Sequence, residues 1–219
     1  MLHGSSHPGV AGSELTRLLA HLAAPASAPA RPVFAERLGR WLGWTDAIAL
    51  SSALQAGPAV PAGAPARGVG DEEADFQRVR AALSASIAAG PDDTGTSPTD
   101  FGPHRRHCAA RQQAIHEAVG ALRRRLREAL ARRSTAGARL AAIDAVIDQA
   151  LAAQERTLLG LVPLRLQARF EQLHRAAGGS DAWLPLFLDD MNHVLQAELA
   201  HRLLPAQGLL DTLREPTAP

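Results

Sequence analysis

The chain has no lysine, no tyrosine, one cysteine, two methionines and only 4% aromatic residues among its 219 positions. Each scarcity excludes something. A lone thiol, Cys108, cannot close an internal disulfide. The longest apolar stretches are broken by Arg, Asp or Pro well short of the roughly 20 residues that a membrane-spanning helix needs. No membrane insertion is therefore expected. The opening MLHGSSHPGVAGS has neither the basic n-region nor the apolar h-region of a secretory signal, and a cytoplasmic location is expected. Since lysine is absent, all 23 basic residues are arginine, as the codons of a GC-rich genome would write them. An arginine at a given place is thus weak evidence of selection for phosphate. The net charge is +1, so any case for nucleic acid must rest on local clustering.

Strand signals are missing as well: nowhere do Val, Ile, Thr or aromatic residues alternate over a strand's length. What is present repeats with period 3.6, and the fold class it predicts is all-α, an antiparallel helical bundle of long helices behind a small helical N-terminal unit. Residues 1–55 read as that small unit and residues 56–70, AGPAVPAGAPARGVG, as a flexible Pro/Ala/Gly linker. Residues 71–90 read as a single amphipathic helix, residues 91–102 as a second linker and residues 103–219 as the main bundle.

Local chemistry marks the elements. Ser13 can cap a helix bearing Leu15, Leu18, Leu19 and Leu22, and Pro32 can open one bearing Phe34, Leu38, Trp41 and Leu42. Thr45 or Asp46 can cap a third with Ile48, Leu50 and Leu54. Asp71, Glu72 and Glu73 put negative charge where a helix dipole favours it, ahead of Phe76, Val79, Leu83 and Ile87. Pro103 suits the first turn of a helix whose seam is Ile115, Val119, Leu122, Leu126 and Leu130. After a turn at Ser134–Gly137 comes one long helix carrying Leu140, Ile143, Ile147, Leu151, Leu158, Leu161, Phe170 and Leu173, which Pro163 should kink midway. Gly178 and Gly179 end it. The last run starts near Ser180, and Pro205 should close it before a short terminal helix.

The most conspicuous feature is RQQAIHEAVGALRRRLREALARR. Between His104 and Arg139 ten arginines stand against Glu117 and Glu128, a local charge of +8. A stripe of that density could follow a phosphate backbone with steep salt dependence. At about 100° per residue, however, Arg123 and Arg127 fall together, Arg124 aligns with Arg106, and Arg125 and Arg132 point nearly opposite to Arg123. Arginines on every side but the seam fit solvent or acidic neighbours in the chain better than one straight polyanion. There are also no interleaved aromatics for base stacking.

Three acids stand three positions before a histidine: Glu171 and His174, Asp190 and His193, Glu198 and His201. Di-iron bundles use two Glu-x-x-His pairs with two more glutamates; here only Glu155 offers itself as an extra carboxylate, and the polar flank of an amphipathic helix is the simpler reading. His104, His107 and Cys108 in HRRHC fall one short of a closed zinc site. A helix N-terminus could activate Cys108, but a small semi-buried residue is the expected role. No phosphate loop, serine elbow or catalytic triad ordering occurs. No catalytic residue, cofactor or metal is assigned, and the chain is expected not to be an enzyme.

WLGW places Trp41 and Trp44 in an N-terminal unit too poor in apolar residues for a core of its own. Trp41 is expected to dock on the bundle, while Trp44, at a helix break, is a candidate anchor for a partner.

The blocks FAERLGRWLGWTDAIALSSAL, DFGPHRRHCAARQQAI and WLPLFLDDMNHVLQAELAHRLLPAQGLLDTL resemble a proteobacterial family of uncharacterised proteins, a domain of unknown function, most specifically through WLGWTDAI. The resemblance brings no catalytic residues, and it implies a cytosolic partner of an envelope-associated complex. Taken together, the sequence points to a helical interaction or adaptor protein with a protein partner, in keeping with a homo-oligomer. The candidate interaction residues are Trp41, Trp44, Arg123, Arg124, Arg125 and Arg127. The alternative is a nucleic-acid-binding protein working through residues 104–139, and a metal-dependent helical-bundle enzyme is the remote one.

Overall fold

A computed structural model of the chain describes residues 14–21, 44–55, 68–91 and 99–215. They form α1 (Glu14–His21), α2 (Trp44–Gln55), α3 (Val69–Ala88), α4 (Gly102–Arg133), α5 (Thr135–Leu159), α6 (Leu161–Ala176), a 3₁₀ turn at Asp181–Trp183 and α7 (Leu184–Arg214). Among the described residues there is no strand, so the fold is an all-α bundle, as the 3.6 period predicts. None of the described helices is long and apolar enough to cross a membrane.

Side-chain bonds fix the relative directions. Ser86 lies beside Arg111 and Asp75 beside Arg125, which makes α3 antiparallel to α4. Ser84 pairs with Gln196 and Glu73 with Arg214, so α3 is also antiparallel to α7. In consequence α4 and α7 run parallel, with Gln112 beside Glu198 and Arg133 beside Glu215. The core lies between these three helices: Phe76, Leu83 and Ile87 from α3, the whole seam Ile115, Val119, Leu122, Leu126 and Leu130 from α4, and Met191, Leu195, Leu199, Leu210 and others from α7. α5 packs on α4, α2 on α5, and α1 on α7.

Ends and corners follow local chemistry. The α4–α5 corner is a single residue, Ser134, whose Oγ accepts from the Gly137 backbone amide at 3.0 Å. Gly137 is required there, because a Cβ would overlap the Leu130 carbonyl oxygen. Gly178 and Gly179, with φ of 58° and 96°, let the chain leave α6 in a conformation that other residues rarely adopt.

Several expectations are corrected. The helix expected to run kinked through Pro163 is two helices, broken at Gly160. Pro163 has no N–H for the Leu159 carbonyl, so the turn before it opens. That break also turns Leu158 and Leu161 outward, 55% and 43% exposed, while Leu159, Val162 and Leu166 take the inner places. Pro205 does not close the last helix: α7 continues through it, because Leu203, Ala206, Leu209, Leu210 and Leu213 keep burying a continuous face. α2 begins at Trp44, ahead of the expected caps Thr45 and Asp46, and its Ile48 and Leu54 are exposed. Finally, α3 starts at Val69, two residues inside the stretch read as linker, with the Asp71 carboxylate reaching back to the Gly68 amide at 3.2 Å. Trp41 and residues 56–67 lie outside the described residues. Of Trp44 only the helical backbone opening α2 is described.

Candidate interaction surface and charged clusters

Arg123 and Arg127, one turn apart on α4, meet Asp144 and Asp148, one turn apart on α5. The short corner at Ser134 sets that register. Arg123 binds Asp144 in a two-pronged fork at 2.8 and 2.6 Å and reaches Asp148 at 2.6 Å; Arg127 binds Asp144 at 2.6 Å and Asp148 at 2.5 Å. Each arginine therefore touches both acids, and the cluster is neutral. Burial alone would raise the carboxyl pKa of Asp144, but hydrogen bonds from Arg123 and Arg127 outweigh it and hold that pKa below the usual value.

The other arginines of the stripe divide. Arg125 stands 3.7 Å from the buried Asp75, which Arg78 also binds, and Arg132 is 3.8 Å from Glu128. Arg111 donates to the Ser86 carbonyl and Arg133 to the Glu215 carbonyl. Arg105, Arg106, Arg124 and Arg139 are exposed, with no ion pair among the described residues. Of the four arginines singled out from sequence, Arg124 alone faces solvent as a free cation; the structure brings Arg123 and Arg127 together and turns Arg125 towards α3.

A second polar cluster crosses the core at the α5–α6 break. Glu198 is fully buried, and accepts from Gln112 at 2.8 Å and from Arg202 at 3.0 Å. Arg202 also lies 3.4 Å from Glu155 and 3.3 Å from His116 Nδ1. Burial pushes the Glu198 carboxyl pKa up, the bonds from Gln112 and Arg202 oppose this, and the net direction is upward.

The members of the three acid–histidine spacings, for which a polar helix flank is the simpler reading, meet other groups. Asp190 binds Arg169, Glu171 accepts from Gln167, and His174 lies edge-on to Trp183. His193 sits 3.5 Å from Asp189 instead, and His201 is exposed. Among the described residues, no group of three or more His, Cys, Asp or Glu side chains is arranged to hold a metal ion. His104 is buried among Phe101, Phe170 and Phe187, and burial lowers its pKa against the opposing charge of Asp100. Cys108 is fully buried; burial first, and the Glu198 charge second, push its thiol up to about 12. The expectation of semi-burial falls short, and a thiol this hard to ionise is not an activated one.

The feature that sequence reasoning missed is apolar. At the α5–α6 corner Leu158, Leu161 and Leu164, the last 62% exposed, follow one another at three-residue spacing along the surface. The helical period on each side of Gly160 does not carry the rotation of the chain at Gly160 itself.

No curated protein and no solved structure matches this chain. A family model does match it over residues 1–215, almost end to end and across every cluster described above, and on that match the chain belongs to the family of proteins of unknown function DUF3348.

Proposed function

We propose that this protein is a non-enzymatic helical interaction protein that docks a protein partner on the α5–α6 corner, in the cytoplasm and beside an envelope-associated complex as the resemblance implies. The observation that carries the reading is the exposed strip Leu158, Leu161 and Leu164. Fully burying one such side chain is worth about 1.5–3 kcal/mol, and grouped exposed apolar residues mark interaction sites more often than scattered ones do. Against the nucleic-acid alternative, Arg123 and Arg127 are engaged by Asp144 and Asp148, and the four exposed arginines are spread from Arg105 to Arg139. The test compares the tagged wild type with the triple variant Leu158→Ser, Leu161→Ser, Leu164→Ser by quantitative affinity capture. Light scattering reads self-association, and duplex DNA binding is followed against salt. Loss of specific partners from the triple variant with an unchanged helical spectrum is the expected result. Tight, salt-sensitive DNA binding that ignores the triple change would put the arginine helix first.

A further inference from the structure

The composition of α2 does not suit its place in the fold. Asp46 is the only ionisable residue among its twelve, and at about 100° per residue apolar side chains recur on every side of it. A helix of that kind is ordinarily buried. Yet α2 rides on α5 at the surface, and none of its described side chains is buried. Asp46, Leu50 and Ala53 are half-buried along one side, and the rest of the helix is exposed. Within that exposed part Ala47, Ile48, Ser51, Leu54 and Gln55 form one continuous face, with Ile48 exposed by 52% and Leu54 by 55%. The face belongs to a different helix from the Leu158, Leu161 and Leu164 strip.

Charge and order together point to what covers it. The face is uncharged, so it attracts neither an acidic nor a basic partner and does not repel its own copy. Its two polar side chains are tied to each other, Gln55 Nε2 donating to Ser51 Oγ at 3.1 Å. The order is also balanced about Ser51: Ile48 and Leu54 stand three residues to either side, Ala47 and Gln55 four. Two such helices crossing antiparallel on a two-fold axis at Ser51 set Ile48 of one protomer against Leu54 of its partner, twice over. They also set the small Ala47 against the longer Gln55, and Ser51 against itself, where little bulk keeps the backbones apart. We propose that α2 is a self-association surface, joining two copies of this chain across a two-fold axis through that face. A helix of 12 residues is about 18 Å long and about 10 Å wide. That falls well short of the roughly 800 Å² per partner of a stable interface. The dimer is accordingly weak, with a dissociation constant on the order of 100 µM.

The test is sedimentation equilibrium of the full chain between about 5 and 500 µM, at low and at high salt. A monomer–dimer equilibrium is expected, and with no charge on the face it should not weaken in high salt. Ser51→Arg sets two like charges against each other on the axis and should weaken the dimer at least about tenfold. Its helical spectrum should be unchanged, because residue 51 is exposed. Ile48→Glu and Leu54→Arg should each dissociate the dimer, and mixing the two variants should restore association. In the mixture the new carboxylate meets the new guanidinium across the axis while one Ile48–Leu54 contact is kept. The triple variant Leu158→Ser, Leu161→Ser, Leu164→Ser should dimerise like the wild type; loss of the dimer there would put the contact at the α5–α6 corner and overturn the proposal. A chain that stays monomeric at the highest concentration overturns it as well, whether another part of the same chain or a different protein covers the face. So does a Ser51→Arg variant that dimerises like the wild type, or a mixture that stays as dissociated as its components.

Discussion

Gln112 donates its side-chain amide to the carbonyl of Leu159, 3.1 Å away, the acceptor that Pro163 leaves without a helical N–H four residues on. The same nitrogen gives its other hydrogen to Glu198 at 2.8 Å. A backbone break on one helix is thereby tied to a buried carboxylate on another through a side chain of a third. Gln112→Ala should destabilise the fold by about 1–3 kcal/mol, because both acceptors lose their partner. In a Pro163→Ala background the loss should shrink, since residue 163 then offers its own N–H to Leu159. A double-mutant cycle in urea reads the difference. Equal losses in the two backgrounds would mean that the Leu159 carbonyl does not depend on Gln112.

Acid stability should depend on Asp144 and Glu198 with opposite signs. Asp144 is held below the ordinary 3.8, so it contributes stability that is present above that value and is lost as the pH falls through its lowered pKa. Glu198 is raised above the ordinary 4.5; the unfolded chain therefore ionises it first, and stability falls as the pH rises from there to the raised pKa. Asp144→Asn should flatten the rise of stability with pH in the most acidic range, and Glu198→Gln should steepen it at mildly acidic pH. Denaturation midpoints measured across both ranges check the pair, and slopes that change in the same direction would refute the assignment.

The α4–α5 corner should be intolerant of one methyl group. Gly137→Ala forces its Cβ onto the Leu130 carbonyl oxygen and should lower stability by about 2 kcal/mol or more, in the range of overpacking changes. Ser134→Ala removes only the cap to Gly137 and should cost about 1 kcal/mol. Chemical denaturation gives both values; a neutral Gly137→Ala would show that the corner can relax.

Cys108 should resist modification. With its thiol pushed up to about 12 and no exposed surface, the thiolate fraction at pH 8 is negligible in the folded state. Alkylation followed by mass spectrometry should proceed only as fast as the chain unfolds, and it should accelerate in denaturant. Rapid labelling of the native protein would contradict the burial.

The limits of sequence reading are visible in particular residues. Every position of the Ile115–Leu130 seam is buried, because a 3.6 period written by five aliphatics leaves one solution. The pairing of Arg123 and Arg127 was half legible: Asp144 and Asp148 carry the same four-residue spacing, but their register depends on a one-residue corner at Ser134 that sequence cannot measure. Pro205 misled because local propensity gave way to tertiary burial on both sides of it. Glu72 and Glu198 were unreadable as inward groups. An acid reads as surface, and only the meeting of helices more than fifty residues apart encloses either one.

The Arg123–Asp144 fork spans 21 residues of chain, whereas the Ser84–Gln196 bond between α3 and α7 spans 112. Closing the α4–α5 hairpin thus requires a short loop, whereas joining α3 to α7 requires one several times longer. On a ribosome the hairpin can be complete before α7 is made, so the side of α3 that α7 covers is still open to water. In the interval between those two events that apolar side has no partner within the chain, and it is the part of the fold that depends on the longest loop.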